Sequence, residues 1–204
     1  MTRRHAEQLA AEFGQAVAAA KWETALLRAG ELETALPGNP GIIYNKALVL
    51  RELGRPDERI ACLERALRLD PSHANARFEL ASALMDRGDL ETAAGLFFEY
   101  TKAVPDDADA RLNLGNCLLR LGRYVEALPH LEKAHEVAPS DETVASLATA
   151  LRDSGDLEAC ESLLAELPVT QEGAALRLKI LTQGAHGRFG LSIDQPRLAR
   201  KDLR

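Results

Sequence analysis

Five histidines, three cysteines and 31 acidic residues are what this 204-residue sequence could use for chemistry. His130 and His135 stand five apart, so they do not share a helix face as two metal ligands four apart would. His5, His73 and His186 are scattered. Cys62, Cys117 and Cys160 are odd in number and far apart, which suggests no disulfide framework; they read as small apolar residues, inert where buried. There is no glycine-rich phosphate loop, no GxSxG, no HExxH and no CxxC. The carboxylates alternate with Arg and Lys, as in Leu63–Arg68 (LERALR). That is the pattern of solvated helix faces with i,i+4 pairs, not of carboxylates paired for acid–base work. No enzyme activity, cofactor or metal site is expected, and what remains to carry function is surface.

Composition narrows the surface. The net charge of −6 argues against a nucleic-acid binder, because neutralising phosphates needs clustered Lys and Arg. No apolar run approaches the roughly 20 residues of a spanning helix. Glu7 and Glu12 interrupt any signal-like core at the amino terminus, so a cytoplasmic location is expected. Aromatics are few, and Ala and Leu dominate the apolar set, which suits closely packed helices better than sheets.

The elements that must position this surface follow from a period. Pro37, Pro71, Pro105 and Pro139 recur every 34 residues, and Gly54, Gly88 and Gly122 keep the same step. Such a period marks a solenoid of helix–turn–helix units. The units run over 6–39, 40–73, 74–107 and 108–141, with a shorter fifth over 141–168. Position eight is small (Ala47, Ala81, Gly115, Ala148) and position eleven is large (Leu50, Leu84, Leu118, Leu151). Position twenty is again small (Ala25, Ala93, Ala127, Cys160), and position twenty-four is large (Leu63, Phe97, Leu131, Leu164). Small residues let paired helices approach and large ones fill the gaps. Gly54, Gly88, Gly122 and Gly155 suit the left-handed end of each first helix, and the prolines end each second helix. Ser72, Asp106, Asp107, Ser140 and Asp141 are candidate N-caps.

Three departures are visible. Arg59 and Tyr100 occupy small columns, so both contacts are expected to be wider, and Pro129 inside a second helix predicts a bend or a lost backbone hydrogen bond. After Pro168, a helix over 170–182 would cover the last unit with Leu176, Leu178, Ile180 and Leu181. The segment 184–204 carries five basic residues against two acidic ones, a net +3 that leaves −9 for the solenoid over 1–183.

The coincidence of small, large, glycine and proline columns in three successive units resembles the tetratricopeptide repeat (TPR) family, over residues 6–167. The resemblance implies an all-α fold, a right-handed α-solenoid of antiparallel helix pairs with about five repeats and a carboxy-terminal capping helix. It is weaker in the first unit, where Ala20 replaces the turn glycine. In this family the first helix of each unit lines a concave groove. The matching positions are Tyr44, Asn45, Leu48, Arg51 and Glu52; Asn75, Phe78, Glu79, Ser82, Met85 and Asp86; and Asp109, Leu112, Asn113, Asn116, Leu119 and Arg120.

Asn45 and Asn113 share a column, and asparagine both donates and accepts, which suits a peptide backbone. Tyr44, Phe78, Leu112 and Met85 would then be apolar pockets. The same residues serve equally well as helix-packing contacts. Family members that clamp a terminal carboxylate use Lys and Arg at groove columns held here by Tyr44, Asn75, Glu79, Asp109 and Asn113, so that ligand is not expected. The expected function is a non-catalytic scaffold or adaptor binding a protein or peptide segment with apolar anchors and some positive charge, with homo-oligomers a possible variant. The alternatives are a recruiting part of a transferase-type enzyme system, favoured by a reading frame continuing past Arg204, and a secretion-type chaperone.

Overall fold

The computed structural model describes residues 3–182; the basic segment 184–204, and with it any docking of that segment, lies outside the described residues. Eleven helices follow one another among them: α1 (Arg3–Ala18), α2 (Trp22–Ala35), α3 (Pro40–Glu52), α4 (Pro56–Leu69), α5 (Ala74–Arg87), α6 (Leu90–Ala103), α7 (Ala108–Arg120), α8 (Tyr124–Val137), α9 (Asp141–Ser154), α10 (Leu157–Leu164) and α11 (Gln171–Thr182). Each odd helix packs on the even helix that follows it, and each even helix packs on the next odd one as far as α9. Odd helices also touch one another, α5 with α7, α7 with α9 and α9 with α11. The result is an α-solenoid with an inner row of odd helices and an outer row of even ones.

The repeated columns are buried in two clusters, a large one running from Ile43 to Ile180 and a smaller one around Ala16, Ala25 and Val49. Ala47, Ala81, Ala148, Ala25, Ala93, Ala127 and Cys160 are all fully buried, and Leu63, Phe97, Leu131 and Leu164 fill the space beside them. Each buried leucine contributes roughly 1.5–3 kcal/mol. Punctuation follows the sequence closely. The prolines at 37, 71, 105 and 139 stand two residues beyond the ends of α2, α4, α6 and α8. The turn glycines adopt φ from 65° at Gly54 to 99° at Gly155. Ala20 takes the same turn at φ 51°, which costs a residue with a Cβ about 1–2 kcal/mol.

Capping departs from expectation. Asp107 and Ser140 do cap α7 and α9, the latter in a reciprocal box with Thr143. Ser72, Asp106 and Asp141 do not cap a helix. The residue that caps α5 is His73, whose Nδ1 accepts the Ala76 N–H at 3.1 Å, and Ser72 instead bonds Asp70. Asn39 caps α3 through the amides of Gly41 and Ile42. On the surface, helix neighbours pair at i,i+3, as in Arg55–Glu58 and Arg123–Glu126. Longer pairs join successive units, with Glu33 holding both Lys46 and Arg65. α8 runs unbroken through exposed Pro129, so the penalty is the one lost amide and not a break.

The capping helix α11 sits where the next inner helix would lie. Leu176, Ile180 and Leu181 pack against the core, whereas Leu178 is 57% exposed and covers nothing. Two arginines fasten α11. Arg177 donates to the Leu164 carbonyl at the end of α10 at 2.8 and 3.2 Å. Arg152, buried and paired with Asp153 at 2.8 Å, donates to the Ile180 carbonyl. Gly173 makes the docking possible, because a Cβ there would lie 2.2 Å from the Pro168 carbonyl oxygen. Gly173→Ala should therefore release α11. The expected result is loss of amide hydrogen-exchange protection across Gln171–Thr182 with α3–α8 unchanged; retained protection would show that the Pro168 turn adapts.

Candidate binding groove

The inner row presents its non-core columns in register because the helices repeat in register. α3, α5 and α7 bring Tyr44, Asn75, Phe78, Glu79 and Asp109 together around a cavity of about 280 Å³. Two residues not anticipated as site residues complete it, Tyr100 from α6 and Asp107 from the loop before α7. Tyr100 occupies a column that is alanine in the neighbouring units, Ala66 and Ala134. It fills the expected gap: its ring lies 5.3 Å from that of Phe78, and its hydroxyl donates to Asp107 Oδ2 at 2.8 Å. Phe78 stands edge-on to Phe97 at 5.5 Å, and Tyr44 packs on His73 at 4.9 Å. Burial and the Asp107 bond push the Tyr100 hydroxyl up to about 12, so it stays protonated and donating. Burial, with Glu79 adding to it, raises Tyr44 as well.

Glu79 is occupied from within. Arg59 crosses from α4 and donates to Glu79 Oε2 at 2.7 Å and to the Glu79 carbonyl at 3.2 Å, while Arg51 donates to Oε1 at 2.9 Å. The Arg59 column is thus not simply wider; a nearly buried guanidinium and a carboxylate fill it. Asp107 has a structural duty too, since its Oδ1 accepts the Ala110 N–H at 2.9 Å.

The remaining groove positions are spread along the row. Asn45, Arg51 and Arg120 are exposed, and Leu48, Ser82, Met85, Asn113 and Asn116 are half-buried. Arg120 reaches the Met85 carbonyl at 3.4 Å. Leu112, 7% exposed, belongs to the core and offers little surface. Nearer the cap, α7, α9 and α11 enclose a second hollow of about 270 Å³ that includes Leu119, Thr149 and Lys179. Cys117 and Cys160 are buried, and burial pushes the Cys117 thiol up to about 11. Among the described residues no group of His, Cys, Asp and Glu could hold a metal ion, and no helix is long and apolar enough to cross a membrane.

A row of helix pairs with this period, these packing columns and an inner groove defines a repeat scaffold, and the chain belongs to the tetratricopeptide repeat family. Family models described as tetratricopeptide repeat match residues 44–103, 108–141 and 142–166. Among solved structures it is similar to a MamA protein, with TM-score 0.74 and 17% identity over 85% of this chain and 92% of the other. MamA from Desulfovibrio magneticus RS-1 gives TM-score 0.74 and 17% identity over 85% of this chain and 96% of the other. YrrB, described as a TPR protein with an unusual peptide-binding site, gives TM-score 0.74 and 18% identity over 81% and 86%. No curated protein sequence matches the chain.

Proposed function

We propose that the chain is a non-catalytic scaffold that binds an extended segment of a partner protein along its inner row of helices. The observation that carries this reading is the convergence of five of the groove-column residues, Tyr44, Asn75, Phe78, Glu79 and Asp109, on one cavity open to that row. Rings supply apolar anchoring and the flanking asparagines supply backbone donors and acceptors, the combination that fixes a peptide on a preformed surface. YrrB, which shares the fold, is described as having a peptide-binding site, which supports the same class of ligand here. Glu79 is neutralised by its arginines, so positive charge on the ligand is directed toward Asp107 and Asp109.

The test is a pull-down of partners by the full chain beside an Asn45→Ala, Asn113→Ala, Asn116→Ala variant. These side chains are exposed or half-buried and none lines the aromatic cavity, so the fold should be undisturbed. The expected result is loss of a protein partner with helicity and melting temperature unchanged. Retention of every partner would remove the groove reading.

A further inference from the structure

We propose that the cavity between Tyr44, Phe78 and Tyr100 seats the cationic side chain, lysine or arginine, of the segment bound in the groove. The inference rests on the groove reading and specifies the chemistry of one anchor.

The argument begins with which charges are spent. Three carboxylates line the cavity, those of Glu79, Asp107 and Asp109. Two nearby guanidiniums, Arg51 and Arg59, bind Glu79, and that of Arg111, two residues after Asp109, donates to the Pro105 carbonyl. Among the described residues no ion pair engages Asp107 or Asp109. Asp107 is held in place from two sides, by the Tyr100 hydroxyl and by the Ala110 amide, both neutral donors that leave its charge uncompensated. Asp109 is exposed in the first turn of α7.

The second part is the walls. The half-buried Tyr44 and Phe78 come from one column of successive units and form the accessible walls, and Tyr100, itself only 7% exposed, backs Phe78 where the adjacent units have alanine. Among the described residues no other unit brings these three rings together. Ring faces carry negative potential and attract a cation lying over them, and the methylene stem of a lysine or arginine packs on the same rings. An anion would meet two unpaired carboxylates and ring faces of the same sign. A neutral apolar side chain would fill the space but leave that charge unanswered. The observed combination of rings and unpaired carboxylates fits a cation on an aliphatic stem best.

Titrating the full chain with N-acetyl-lysine methylamide and N-acetyl-arginine methylamide, followed by backbone amide NMR, tests this. N-acetyl-norleucine methylamide serves as the uncharged counterpart. The cationic probes are expected to shift the signals of Tyr44, Phe78, Tyr100 and Asp109, with norleucine at least about fivefold weaker. Asp109→Asn should weaken the lysine response several-fold while leaving the norleucine response and the rest of the spectrum unchanged. Equal responses to lysine and norleucine would overturn the cation seat and leave an apolar slot, with the groove reading intact. Absence of any shift at the cavity would also overturn it. The groove reading itself stands or falls on the asparagine variant, whose three sites lie outside this cavity.

Discussion

Glu79→Ala should lower the stability of the solenoid by about 3 kcal/mol, far more than a glutamate in a surface ion pair ordinarily contributes. The reason is the partner left behind. Arg59 is 6% exposed, and its guanidinium relies on Glu79 for its close carboxylate contact at 2.7 Å; the next, Asp86, is 3.8 Å away and largely exposed. Without Glu79 the arginine keeps one backbone carbonyl, and its Nε already lacks a hydrogen-bond partner. A buried charge without its counter-ion costs several kcal/mol, whereas replacing both members by apolar residues is often close to neutral. Arg59→Met combined with Glu79→Leu should accordingly recover most of the loss. Chemical denaturation of the two variants measures this. A Glu79→Ala variant as stable as the parent would mean that the guanidinium reaches water and that the pair is a surface one.

The second large effect concerns the approach of α7 and α8 at Gly115. Position eight is alanine in three units and glycine at 115, and there the fully buried Leu131 presses in. A Cβ on residue 115 would lie 2.3 Å from Leu131 Cδ2 and 2.4 Å from its Cγ. Alanine is the better helix former by roughly 0.5–1 kcal/mol, so on propensity alone Gly115→Ala would stabilise. Overpacking costs about 1–3 kcal/mol, and Leu131 has no exposed space to retreat into. Gly115→Ala is expected to be destabilising by about 1–2 kcal/mol net. Leu131→Ala alone should cost about 2–5 kcal/mol. Adding Gly115→Ala to it should then cost nothing further, since the clash is gone and the propensity gain remains. Additive losses would show that the two residues do not meet.

The fold was legible because each unit repeats the same demands: a small column at 47, 81 and 148, a large one at 63, 97 and 131, prolines two residues past each second helix. Such columns are local and need no knowledge of distant contacts. The caps were half legible. Asp107 and Ser140 have the usual acceptor side chains, but His73 caps through a ring nitrogen, which requires the tautomer with its proton on Nε2.

The groove residues were nameable by column, yet their fates were not. Glu79 shares a column with Asn45 and Asn113 but is taken by Arg59, twenty residues earlier and on another unit. Leu112 shares a column with Tyr44 and Phe78 but is drawn into the core. Tyr100 showed in the sequence only as a large residue in a small column; its role depends on Asp107 lying opposite, which the arrangement of α6 and α7 decides.

The claim that the inner row is the binding surface is tested most directly by placing a photo-crosslinking amino acid at one of two positions in the full chain. One position is Ser82 on inner helix α5, and the other is Val125 on outer helix α8, 70% exposed. After irradiation in the native cell, the account predicts a discrete covalent adduct from position 82 and none from position 125. An adduct from position 125 alone would place recognition on the outer row and contradict it.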